Sequence, residues 1–126
     1  MNMSIIFITH DIQLVKGFAN KVLILYAGKA MELGQVNEVW NRPLNPYTIA
    51  LLHSIPTLRG DVNSFSGIPG TLPDPYAKLE GCPFAPRCKY AQDICFSSDP
   101  LFREYKPGHS SACHFSKQIG DSYAKQ

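Results

Sequence analysis

The sequence predicts an α/β fold that is incomplete: one edge of a sheet with its helices, followed by a small irregular cysteine-rich extension. Three observations carry this. Ile5, Ile6, Phe7 and Ile8 form an unbroken apolar run, the pattern of a strand covered on both faces in the middle of a parallel sheet, yet no sheet partner precedes it. Further apolar strands and short helical segments follow closely. From about Thr57 glycine and proline become too dense for long elements, and all four cysteines lie beyond that point.

Taken in order, Asp11 to Asn20 reads as a helix with Ile12, Val15 and Ala19 on one stripe. Lys21 to Tyr26 (KVLILY) is a strand, and Ala27-Gly28-Lys29-Ala30 turns it back into a second strand at Met31–Leu33, making a hairpin. A short helix from about Gln35 to Trp40 ends before Pro43. Asn45 then caps a helix with Pro46 at its first position, and Ile49, Leu51, Leu52 and Ile55 carry its apolar face until Pro56 stops it. Gly67, Pro69, Gly70, Pro73, Pro75 and Gly81 punctuate the irregular stretch that follows. A short helix over about Pro86 to Asp93 would set Cys88 and Cys95 about two turns apart. After Phe115 the polar tail SKQIGDSYAKQ is expected to fray.

A chain of 126 residues, 44% of them apolar, is one small domain or a piece of a larger one. Its formal charge of +2, with no basic run or interleaved basic–aromatic stretch, argues against nucleic-acid binding. Met1-Asn2-Met3-Ser4 leads straight into the apolar run, without a basic n-region or a small-residue cleavage site, and no apolar run reaches the length of a membrane span. The expected compartment is therefore the cytosol, where thiols stay reduced and gathered cysteines read as metal ligands rather than disulfides.

Cys82, Cys88, Cys95 and Cys113 are separated by 5, 6 and 17 residues. In a region with little apolar sequence for a core, they read as a staple: four thiolates on a metal or cluster, or two disulfides. Structural zinc favours closer pairs, with about two to four residues between ligands. An iron–sulfur cluster is wider and tolerates broader spacing. Pro83 and Pro86 stiffen the loop joining Cys82 to Cys88. Arg87, Lys89 and Arg103 are near enough in sequence to offset an anionic cluster, and are equally read as ordinary surface. His109 and His114 could supply nitrogen to zinc; the plainer reading leaves them facing solvent. His10 ends the first apolar run, where α/β folds place ligands, although a single histidine there also fits a structural role. The only Gly-Lys pair, Gly28-Lys29, lacks both the upstream glycine and the following Ser or Thr, so there is no P-loop. No serine elbow or paired-histidine zinc helix is present, and no spacing singles out a Cys–His pair such as Cys95 with His109.

SIIFITHDIQLV followed by KVLILYAGKAMELG resembles the end of the ATP-binding subunit of an ABC transporter. RPLNPYTIALLHSIP, IPGTLPDP and GCPFAPRCKYAQDIC…ACH resemble the C-terminal extension of oligopeptide/dipeptide importers. Asn45 departs from that pattern, which has His before Pro-Tyr-Thr; Asn caps a helix at least as well. The resemblance implies residues 1–41 as the remnant of a nucleotide-binding domain, 42–115 as the extension and 116–126 as a flexible tail. It implies that His10 is the switch histidine of the intact parent, and that Cys82, Cys88, Cys95 and Cys113 hold a 4Fe-4S cluster, with zinc or free or oxidised thiols as the alternatives. ATP and magnesium would belong to the parent only. Walker A, Walker B and the signature motif are missing here, so this piece is not expected to be an ATPase. Its partners would be a second ATPase subunit and the transmembrane permease subunits, with the chain peripheral on the inner face of the membrane. Uncovered apolar strands are expected to make the piece self-associate. The competing classes are a free-standing electron-transfer module and a zinc- or iron–sulfur-stapled interaction module.

Overall fold

Lys21–Tyr26 (β1) and Lys29–Gln35 (β2) form an antiparallel hairpin closed by Ala27 and Gly28. Both loop residues have positive φ, 50° and 78°, the backbone of a type I′ turn, whose twist matches that of the strands it joins. This computed structural model describes residues 3–55, 68–74, 76–78 and 80–124. β1 alternates as its sequence requires: Ile24 and Tyr26 face inward, while Leu23 and Leu25 remain about half exposed. A register shift after Ile24 leaves Met31 without a counterpart in β1, and Met31 and Glu32 are consecutive buried residues.

Asp11 caps helix α1 (Ile12–Phe18) by accepting from the amides of Gln13 and Leu14. Its Ile12 and Val15 are half-buried, together with Ala19 just beyond it, which is the expected stripe. Val36–Asn41 (α2) follows β2 directly and buries Val36 and Val39. Asn45 caps α3 (Pro46–His53) through its Oδ1, which accepts from the Tyr47 amide at 2.9 Å. Ile49 is buried as expected and Leu51, Leu52 and Ile55 are half-buried; Pro56 lies outside the described residues, as do Gly67 and Pro75. A 3-10 turn (Ala85–Arg87), helix α4 (Asp93–Ser97), strands β3 (Arg103–Lys106) and β4 (His109–Ser111) and helix α5 (Ser116–Ala124) complete the order.

The strands form one sheet in the order β1-β2-β4-β3, antiparallel throughout. The fold is thus mixed α/β, and three expectations are corrected. Residues 3–9 form no strand: Ile5 and Phe7 are more than half exposed, Ile6 and Ile8 almost fully, and Phe7 meets only Phe18 edge-on at 5.2 Å among the described rings. An apolar run becomes a buried strand only when a neighbouring strand accepts its backbone. The helix foreseen over Pro86–Asp93 is instead a 3-10 turn and a separate short helix, with Cys88 at the end of the first and Cys95 inside the second. The tail expected to fray forms α5, which buries Ile119 because the polar stretch still carries one apolar residue facing inward.

The apolar core gathers Ile24, Tyr26, Met31, Val39 and Phe84, so the hairpin, α2 and the cysteine loop share it. Tyr26, Tyr47 and Phe84 stack in a three-ring cluster with centroids 4.6–5.5 Å apart.

Candidate cysteine centre

The local backbone brings the first three cysteines together. Cys82 donates its amide to the Cys95 carbonyl at 2.7 Å, tying the loop's start to α4. Gly81 sits at φ +76°, and a Cβ there would stand 2.3 Å from the Cys95 carbonyl oxygen; only glycine permits the approach. The Cys82 carbonyl accepts from Ala85, the Ala85 carbonyl from Cys88, and the Gln92 carbonyl from Cys95, which braces the turn and the start of α4. Arg87 fastens this loop to the sheet: its Nε and Nη2 donate to the carbonyls of Pro69 and Ile68 at 3.0 Å, and its Nη1 to the Tyr26 hydroxyl at 3.1 Å.

Cys113 arrives from the other direction, just after β4. Its carbonyl accepts from the Tyr105 hydroxyl at 3.1 Å, and its Sγ accepts from the Phe115 amide at 3.4 Å. All four cysteines then line one small cavity of about 20 Å³, whose wall is almost wholly apolar and includes Phe84, Ala112 and Phe115. All four are free thiols. Burial pushes the thiols of Cys82 and Cys88 up, and that of Cys113 to about 11; neighbouring cysteines push the same way, against backbone N–H groups that favour the thiolate.

Those directions work against one chemistry at Cys82, Cys88 and Cys113 and suit another. A nucleophilic cysteine needs its thiolate favoured at neutral pH, whereas Cys82, Cys88 and Cys113 are held as thiols. Four thiols in an apolar cavity, three of them given amide donors, can ionise together only on a positively charged centre that repays the burial. The residue types are those of a thiolate-bound inorganic group. Among the described residues, no three or more His, Cys, Asp or Glu side chains gather as a metal ion would need.

The histidines behave differently from expectation. His109 does not face solvent: it is 2% exposed, and its Nε2 lies 2.6 Å from Glu32 Oε2. A carboxylate partner inside the sheet explains the burial, while the ring's Nδ1 is buried without a hydrogen-bond partner. His114 bonds the Ser98 carbonyl through Nε2 at 2.8 Å. His10 is exposed at the bend before α1, beside Thr9, whose hydroxyl accepts from the Asp11 amide. Of the basic residues thought able to offset a cluster, Arg87 is committed to the loop and the sheet and Lys89 lies over the Tyr90 ring at 5.2 Å.

The residues that sequence reasoning missed are the buried polar ones. Glu32 is fully buried; its carboxylate accepts from the amides of Leu44 and Asn45 at 3.1–3.2 Å as well as facing His109. Asn45 Nδ2 donates to the carbonyls of Met31 and Ala112 at 3.1 Å. The Ser116 hydroxyl donates to that of Ser111 at 2.8 Å. The one available signal was Glu32 itself, a carboxylate amid the apolar run of the second hairpin strand.

The family model for the oligopeptide/dipeptide transporter, C-terminal region, matches residues 31–95. The oligopeptide transport ATP-binding protein OppD of Escherichia coli is 44% identical over 112 residues, which is 89% of this chain and 33% of that protein. A putative peptide import ATP-binding protein of Brucella melitensis is 41% identical over 90% of the chain and 34% of its own length. The dipeptide transport ATP-binding protein DppD of Escherichia coli is 37% identical over 90% of the chain and 35% of its own length. The chain thus spans about a third of the length of these relatives.

Proposed function

The chain belongs to the oligopeptide/dipeptide transporter C-terminal-region family, and from that premise we propose that it is the closing part of a peptide importer's ATP-binding subunit. Its first segment would complete a nucleotide-binding domain, and its cysteine loop would be the importer's extension. The observation that carries this reading is the likeness over about nine-tenths of the chain to proteins named for ATP binding and peptide transport. The sheet supports it further, because β2 from the matched segment pairs directly with β4 beside Cys113.

Cys82, Cys88, Cys95 and Cys113 are the residues that would hold a 4Fe-4S cluster. Such a group, when bound, would supply the positive charge that four buried thiolates require, and the four cysteines would be stapled through it. The chain's own contribution is the apolar wall that excludes water and the amides of Phe84, Ala85, Tyr90, Ala91 and Phe115 that favour thiolate sulfur. A single zinc is the less favoured occupant, since the cysteine intervals lack the close pairs of a zinc knuckle.

His10 is assigned as the switch histidine of the whole subunit, contacting the terminal phosphate of ATP once the phosphate cradle and magnesium site are supplied. Holding neither, the 126-residue chain binds nucleotide weakly and does not turn it over. A second ATPase subunit and the transmembrane permease subunits are its partners, at the inner face of the membrane. Among the described residues no helix is long and apolar enough to cross a membrane.

Metal analysis of anaerobically prepared protein tests the proposal. About four iron and four sulfide per chain are expected, with charge-transfer absorbance in the visible. One zinc per chain, or no metal at all, overturns the cluster. ATP hydrolysis by the isolated chain overturns the assignment of His10 as a residue that works only within the whole subunit.

A further inference from the structure

We propose that the cysteine centre is built three plus one: Cys82, Cys88 and Cys95 form a self-braced set, and the buried Glu32–His109 pair positions Cys113 as a fourth, detachable member. The inference rests on the reading that the four thiols serve one centre, and extends it to residues that supply no sulfur.

The asymmetry is in the backbone. The first three cysteines lie within one stretch, and the bonds from Cys82 to Cys95, Ala85 to Cys82, Cys88 to Ala85 and Cys95 to Gln92 close entirely inside it. Cys113 stands outside that stretch and is held from elsewhere: its carbonyl accepts from the Tyr105 hydroxyl and the Ser116 amide, and its Sγ from the Phe115 amide. It follows β4, a strand of three residues that meets β2 only through Glu32–Ser111 and Leu33–Ser110. At the Cys113 end, the Ala112 amide donates to the Met31 carbonyl at 2.8 Å and the Ala112 carbonyl accepts from Asn45 Nδ2. At the opposite end stands His109, whose Nε2 faces the Glu32 carboxylate.

Glu32 is what joins these attachments. Its two oxygens meet donors alone: the amides of Leu44 and Asn45 and the His109 ring. The carboxylate thereby fixes Asn45, which reaches Ala112, and His109, which begins β4. Replacing Glu32 by its amide would keep one acceptor oxygen but remove the negative charge and the second acceptor that the Leu44 amide and the His109 ring share. The strand carrying Cys113 would lose the two attachments that run through Glu32, keeping its pairing with β3, while the bracing of Cys82, Cys88 and Cys95 would be untouched.

The test follows alkylation of each cysteine by iodoacetamide in the reduced, metal-free chain, mapped by peptide mass spectrometry, so its outcome does not depend on whether a cluster binds. In Glu32→Gln the labelling rate at Cys113 should rise by about tenfold or more, with Cys82, Cys88 and Cys95 within about twofold of the unaltered chain. His109→Gln, which keeps a donor facing Glu32, should restrain Cys113 better than His109→Ala. An equal rise at all four cysteines, or no rise at Cys113, overturns the proposal. A second measurement uses the unaltered chain: by hydrogen exchange the Ala112 amide should open faster than those of Cys82 and Cys95. Slower exchange at Ala112 would overturn it too.

Discussion

Gly81 shows how narrow the tolerance of the cysteine loop is. Its positive φ and its 2.3 Å clearance from the Cys95 carbonyl both stand against any side chain, and the opposing atom is backbone, which cannot swing aside. Gly81→Ala should therefore destabilise the chain by about 2–4 kcal/mol, measured as a lowered midpoint in chemical denaturation. An unchanged midpoint would mean that the loop relaxes freely. Glycine at position 28 differs: its φ is +78°, but a methyl group added there would meet nothing within 4 Å, so only backbone preference is at stake. Asn45 is the other residue with a double duty, since its Oδ1 caps α3 while its Nδ2 bridges β2 to the segment after β4. The departure from the histidine found at this position in the importer pattern thus falls on a residue that the structure uses twice.

Among the elements, the β1–β2 hairpin organises the rest, and its turn is not optimal. Ala27 is the only described non-glycine residue with positive φ, a conformation in which its Cβ is crowded and for which Asn is better suited. Ala27→Asn should stabilise the chain by roughly 0.5–1 kcal/mol, read as a rise in thermal midpoint without change in the slope of denaturant unfolding. A fall in stability would show that the alanine methyl makes a contact worth more than the turn. The β2–β4 pairing is the opposite kind of element, short and dependent on buried polar groups. Removing one partner of the Glu32–His109 pair costs more than an exposed ion pair would, because the other is left inside without compensation.

At the scale of the molecule, the exposed large apolar side chains fall in two stretches of the sequence, residues 3–25 and 72–102. Ile5, Ile6, Phe7 and Ile8 are exposed before α1, and Leu23 and Leu25 lie on the outer face of edge strand β1. In a larger ATP-binding subunit these residues would meet the remainder of the nucleotide-binding domain. Alone, they should drive self-association, because an edge strand with apolar side chains recruits other chains. Sedimentation of the 126-residue chain is expected to show dimers or larger species, and the double substitution Ile6→Lys with Ile8→Glu should shift the distribution toward monomer. A strictly monomeric chain at high concentration would contradict this expectation.

The local rules were legible in advance. Alternation and turn chemistry foretold β1 and the hairpin, and Asn45 and Pro46 foretold the start of α3. These follow from neighbours in the chain, whose identities the sequence states outright. Position in space was another matter. The apolar run at Ile5–Ile8 looked like a buried strand and is exposed, because burial requires partners that the run itself does not specify. His109 looked like a surface residue and is buried, because Glu32, 77 positions earlier, meets it across the sheet. Only the tertiary structure could join β2 to β4 and bring Cys113 beside the other thiols, since such pairing depends on contacts between residues distant in sequence.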